Sequence, residues 1–162
     1  TNDEGKENLF AGRCDVYTTD ASGLSSTRAA ASNPDKWVVL PEIISKEPLG
    51  PLVRHGDHQW GDVVRWSLNA MIIAEELGVT SENVDAQKSS NVPEVLRLLG
   101  VEGSYGEMLE LAPDWAYQII KQIGNYSESY EANVGPDTPL EIARGLNALW
   151  TQGGILYAPP FR

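Results

Sequence analysis

Gly12-Arg13-Cys14-Asp15-Val16-Tyr17-Thr18-Thr19-Asp20-Ala21-Ser22-Gly23 decides how the rest of the chain is read. Asp15 to Thr19 alternates polar and apolar side chains and is rich in β-formers, which predicts a short strand. It ends on the carboxylate of Asp20. Small residues follow, then Leu24 to Ala31, a stretch able to form a helix, so Asp20 is placed where a strand hands over to a helix N-terminus. In open α/β sheets ligands bind outside the carboxyl ends of strands, which makes this the first place to look for a site. Two roles fit Asp20 and do not exclude each other. One is an N-cap accepting from the N–H of Ser22 or Gly23, worth roughly 1 kcal/mol; the other is a receptor for a ligand cation.

Upstream, Glu4 to Ala11 reads as the end of a helix closing at Gly12, where a left-handed residue costs glycine little. Cys14 is the sole cysteine, so no internal disulfide and no thiolate metal cluster can form. A lone strand cysteine is usually a small buried hydrophobe. Downstream, Asn33-Pro34-Asp35 signals a turn and Trp37 to Leu40 a second strand. Pro41 to Pro51 (PEIISKEPLGP) then changes the texture. Proline fixes φ and removes a donor, so this is an extended connector or sheet-edge segment, read as a crossing between two lobes. Leu52 to Arg54 is a brief strand beyond it.

The remainder reads as mostly helical. From Asp62 to Leu77, apolar residues cover a wide arc that includes Val63, Trp66, Ala70, Ile73 and Leu77, implying burial against more than one neighbour. Thr80 to Val84 and Val92 to Leu99 read as short helices, with Asp85 to Asn91 a loop between them. Ala112-Pro113-Asp114 starts a helix that runs to Ile123 and turns Trp115, Ile119, Ile120 and Ile123 inward. Asn125 to Asn133 continues helically. Thr138-Pro139-Leu140-Glu141 has the form of a capping box with proline at the first helical position, predicting a helix to Gln152.

Composition narrows the function. With 162 residues and 41% hydrophobic content the chain is long enough for a sizeable core. Its 12 basic against 23 acidic side chains leave a net charge of −11, which repels phosphate backbones and anionic membranes, so nucleic acid is not an expected partner. No segment approaches the roughly 20 apolar residues of a membrane span. The polar opening TNDEGKENLF suits a chain whose export signal has been removed, or one cut from something longer.

Other candidate sites are thin. His55, Asp57 and His58 have metal-ligating chemistry, but a glycine-containing turn scatters them and a cap or turn role suits Asp57 better. A carboxylate-dependent hydrolase is the alternative reading, using Asp20 or Glu128 with a neighbouring acid, Glu128 and Glu131 being the pair that could be imagined as acid and base. Glycosidase carboxylates, however, face each other across a cleft at about 5 Å or more, and two glutamates three apart on one helix usually form a solvated face. No phosphate-cradling glycine loop and no serine nucleophile elbow occurs. The layout is two-lobed α/β with a carboxylate at a strand end, a plan for capture more than for chemistry, and no cofactor is expected.

GRCDVYTTDASGL, LPEIISKEPLGPLVRHGD, WGDVVRW, and IARGLNALW followed by GGILYAPPFR occur in one order along the chain. Together they resemble the C-terminal half of family 3 solute-binding proteins, in the branch of general L-amino-acid receptors of polar amino-acid ABC transporters. The resemblance covers nearly the whole chain. It implies an incomplete type II periplasmic binding protein fold with a helical C-terminal extension, located in the periplasm and delivering L-amino acids to a membrane permease. It implies that residues 1–40 end the distal ligand-binding lobe, 41–51 cross between lobes, and 52–162 end the proximal lobe. It assigns Asp20, beside Thr19, to the ligand's α-ammonium group. The arginine that grips the ligand carboxylate and the cysteine that pairs with Cys14 would lie in the family's preceding portion. Without that portion, the apolar face of the helix from Asp62 to Leu77 is expected to be uncovered, leading either to oligomerisation or to cover by a second piece of chain.

Overall fold

The first helix, α1 (Asn2–Phe10), begins with a reciprocal capping box: the Thr1 hydroxyl accepts from the Glu4 N–H while the Glu4 carboxylate takes the amino terminus. It ends at Ala11, and Gly12 follows with φ +67, as its sequence predicts. The second, α2 (Ala21–Ala29), starts on Asp20. These helices belong to the first of two units into which the chain divides in this computed structural model, which describes residues 1–162. That unit comprises Thr1–Leu49 and Val134–Ala143; the second comprises Gly50–Asn133 and Arg144–Arg162.

The strands expected at Asp15–Thr19, Trp37–Leu40 and Leu52–Arg54 do not form. None of these stretches joins a ladder, and the β-bridge present, a parallel one between Leu149 and Leu156, lies elsewhere. The α/β layering read from the sequence is therefore absent from these residues. The physical reason is that β-propensity measures fit to a pleated surface, and ladder bonds come from a partner strand. Val16, Val38 and Leu40, which a sheet would cover, stay 68%, 79% and 65% exposed. Trp37 is extended, and it packs edge-on against Phe10 at 5.3 Å.

The second unit holds the core. Its long helix α3 (His58–Glu76) begins four residues earlier than its apolar pattern indicates, because Asp57 caps it by accepting from Trp60 N–H at 3.1 Å. Against α3 pack α5 (Pro93–Leu98), α6 (Trp115–Ile123) and α7 (Tyr126–Asn133). The apolar face of α3 is thus covered inside its own unit, with Ala70 and Ala74 fully buried and Ile72 and Ile73 nearly so. An oligomer does not follow from that face. No helix is long and apolar enough to cross a membrane.

The C-terminal tail closes this core. Phe161 sits among Trp66, Tyr105 and Trp115 with ring centroids 5.3, 5.5 and 6.0 Å away, and the Arg97 guanidinium donates to its carbonyl at 3.1 Å. In α6, Trp115 and Ile120 are buried as expected and Ile119 packs on the core, but Ile123 is 60% exposed.

Two expectations of local structure fail. Thr80–Asn83 is a turn with reciprocal side chain to backbone bonds, and helix α4 (Val84–Gln87) occupies the start of the predicted loop. The helix predicted from Pro139 to Gln152 is absent. Only single 3-10 turns occur there, at Gly145–Asn147 and Trp150–Gln152. The capping box does not close, because Glu141 pairs with Arg28 instead of reaching back to Thr138, and adopts φ +52. Arg144 is likewise drawn to Glu75, so tertiary ion pairs override the local signal.

Candidate functional site

Asp20 ends the extended segment and begins α2, with φ −60 and ψ 153, so its side chain folds back over the first turn. Its Oδ2 accepts from the Gly23 N–H at 2.8 Å and the Ser22 hydroxyl at 2.6 Å. Its Oδ1 is within 3.2 Å of the Thr19 hydroxyl, which donates to it. The capping role is therefore realised. One oxygen is held by two close donors, while the other carries a single longer bond.

These bonds stabilise the charged carboxylate. The Ser22 hydroxyl first, then the Gly23 N–H, hold Asp20 below the ordinary aspartate value, so it is anionic at neutral pH. Gly23 matters sterically too. A Cβ there would lie 3.0 Å from both Asp20 Oδ1 and the Thr19 methyl, pressing on both candidate residues. Ser22 and Gly23 were not singled out as site residues by sequence reasoning, although the Asp-x-Ser-Gly spacing is the visible signal for this turn. On the far side of the same turn the Thr27 hydroxyl donates to the Gly23 carbonyl at 2.7 Å, and Thr27 and Ser25 are buried.

The other candidates separate. Asp57 is a cap, and no group of three or more His, Cys, Asp or Glu side chains gathers to hold a metal ion. Cys14 is a free, half-exposed thiol. Glu128 is not on a solvated face. Its carboxylate accepts from the Ser81 N–H, the Ser81 hydroxyl at 2.6 Å and the Asn125 N–H at 2.8 Å, while the Asn125 side chain accepts from Glu128 N–H at 3.0 Å. This is a capping box for α7 with an added link to Ser81. Glu131, three residues on, is exposed. The two glutamates do not face one another across a cleft.

No family model matches the chain. Among curated proteins it is 56% identical over 160 residues to the glutamate/glutamine/aspartate/asparagine-binding protein BztA of Rhodobacter capsulatus, covering 98% of this chain and 47% of that protein. It is 56% identical over 162 residues to YhdW of Escherichia coli, a putative amino-acid ABC transporter-binding protein, covering 99% and 47%. The general L-amino acid-binding periplasmic protein AapJ of Rhizobium johnstonii is 58% identical over 154 residues, with 94% and 45% covered. The chain spans about half the length of the curated relatives it matches. Among solved structures, an ABC transporter periplasmic binding protein from Brucella ovis with glutathione bound superposes with TM-score 0.93 at 51% identity. That match covers 100% of this chain and 51% of the other.

Proposed function

We propose that this chain, a homologue of periplasmic amino-acid-binding proteins of ABC transporters, forms part of a receptor that captures L-amino acids in the periplasm and hands them to a membrane permease. The observation that carries the reading is the 56–58% identity, along nearly all of the chain, to two proteins named as binding amino acids and to a putative amino-acid ABC transporter-binding protein. In this reading the fold is that of a type II periplasmic binding protein. Residues 1–40 end the distal lobe, 41–51 cross between lobes, and 52–162 end the proximal lobe with its helical extension. Its work is binding, not catalysis.

Asp20 is the receptor for the ligand's α-ammonium group, through Oδ1, with Thr19 beside it. Two donors fix Oδ2 and so fix the plane of the carboxylate before any ligand arrives. Pre-orientation of this kind lowers the ordering cost of binding. Glutathione, bound in the Brucella ovis neighbour, carries a free α-ammonium and α-carboxylate on its γ-glutamyl residue. A carboxylate receptor for an α-ammonium therefore suits a free amino acid and a γ-glutamyl peptide alike. No observation favours a hydrolase, since the carboxylate of Glu128 is spent on Ser81 and Asn125.

The reading is tested by thermal shift with a panel of L-amino acids on the polypeptide at the length of its relatives. Ligand at a hundred times Kd adds about 2.7 kcal/mol of stability. A panel in which no amino acid raises the midpoint would reject it.

A further inference from the structure

The first unit receives the chain twice, over Thr1–Leu49 and again as the excursion Val134–Ala143. The excursion is closed on itself. Ile142 N–H donates to the Val134 carbonyl at 3.0 Å, Glu141 N–H to the Thr138 carbonyl at 3.1 Å, and the Thr138 hydroxyl to the Gly135 carbonyl at 2.8 Å. A short loop whose ends are joined in this way has the form of an Ω-loop.

Two ionic anchors of different character stand three residues apart at its C-terminal end. Within the first unit, Glu141 pairs with Arg28 of α2 at 2.5 Å; the glutamate side chain is 59% exposed, and its backbone sits at φ +52, a conformation that strains any residue with a Cβ. Within the second unit, Arg144 is 16% exposed and donates to both oxygens of the nearly buried Glu75 at 2.9 and 3.0 Å. It also donates to the Asn147 carbonyl at 2.9 Å and lies over the rings of Tyr126 and Tyr130, at 5.4 and 5.3 Å. A largely shielded arginine held over two rings resists separation, whereas a more exposed pair is weak and screened by salt.

We propose that Val134–Ala143 is a releasable clasp: Arg144 is its fixed foot, and the Arg28–Glu141 pair is the grip that lets go first. Release frees the strained backbone at Glu141 while the loop keeps its own internal bonds and its root at Arg144.

Hydrogen exchange of residues 134–149, followed by mass spectrometry, tests it without ligand. Glu141→Gln speeds exchange across 134–143 about two- to fivefold, the range expected for losing one exposed pair. Raising salt to about 1 M has the same effect on the wild type and little on Glu141→Gln. Arg28→Glu also speeds exchange, and the swap Arg28→Glu with Glu141→Arg restores it. Throughout, 144–149 keeps its wild-type rate. Unchanged exchange in Glu141→Gln, a swap that fails to restore, or equal loosening of 144–149 would overturn the clasp. Because no amino acid enters the experiment, its failure leaves the receptor reading untouched, and absent amino-acid binding leaves the exchange result standing.

Discussion

Arg144 donates to both carboxylate oxygens of Glu75, at 2.9 and 3.0 Å, and both side chains are largely shielded from solvent. Removing one partner of a shielded pair strands the other. Arg144→Ala is expected to cost about 3 to 5 kcal/mol, read as a lowered midpoint in urea unfolding. Arg144→Lys keeps the charge but loses the Nε donor to the Asn147 carbonyl and the guanidinium's place over the rings of Tyr126 and Tyr130, so it falls between. A wild-type midpoint for Arg144→Ala would mean that the pair contributes nothing.

Asn125 and Glu128 cap one another at the start of α7, and Ser81 ties this turn to the stretch after α3. Glu128→Ala removes the acceptor for three donors at once and is expected to destabilise by about 2 to 3 kcal/mol. Glu131→Ala, on an exposed neighbour, should change stability by no more than about 0.5 kcal/mol. The contrast is checked by thermal unfolding of the two variants side by side.

Phe161 fills the space between Trp66, Tyr105 and Trp115 and is 8% exposed. Phe161→Ala is expected to lose about 3 to 5 kcal/mol through the cavity it leaves. Tryptophan fluorescence should shift to the red as water reaches Trp66 and Trp115. A midpoint within about 0.5 kcal/mol of wild type would show that the tail is dispensable to the core.

Helices that carry their own punctuation were legible in the sequence. Gly12, Gly78 and Gly124 all mark helix ends at positive φ, and the apolar arc of α3 found its covering helices. Features that depend on distant residues were not. Thr138-Pro139-Leu140-Glu141 has every local sign of a helix start, yet Arg28, over a hundred residues away, takes the glutamate. The segments at Val16 and Val38–Leu40 have strand chemistry without a ladder, and no pattern within them says where a partner lies. At the candidate site, Asp20 and its cap were readable from spacing. The Ser22 hydroxyl that helps hold the carboxylate was not, because a serine in a turn has several places to point.

Asp20 also sets a pH dependence. Its folded value lies below the ordinary aspartate value of 3.8, first because of Ser22 and then because of Gly23. A depressed carboxylate adds stability that is fully present above pH ~4 and is lost as pH falls through the folded value. Ser22→Ala should therefore shrink the acid-side loss of stability below pH ~4 while leaving neutral pH less stable. Identical acid titrations of the two proteins would remove Ser22 from this role.

The most direct measurement is calorimetric titration of L-glutamate and L-glutamine into the polypeptide at the length of its relatives, wild type against Asp20→Asn. Asparagine caps a helix about as well as aspartate but lacks the charge. The receptor account predicts that folding stability falls by no more than the small contribution of the capped carboxylate's charge, while affinity falls about tenfold or more, a loss of about 1.4 kcal/mol or more. Amino-acid binding of wild-type strength in Asp20→Asn would contradict it and leave Asp20 a cap alone.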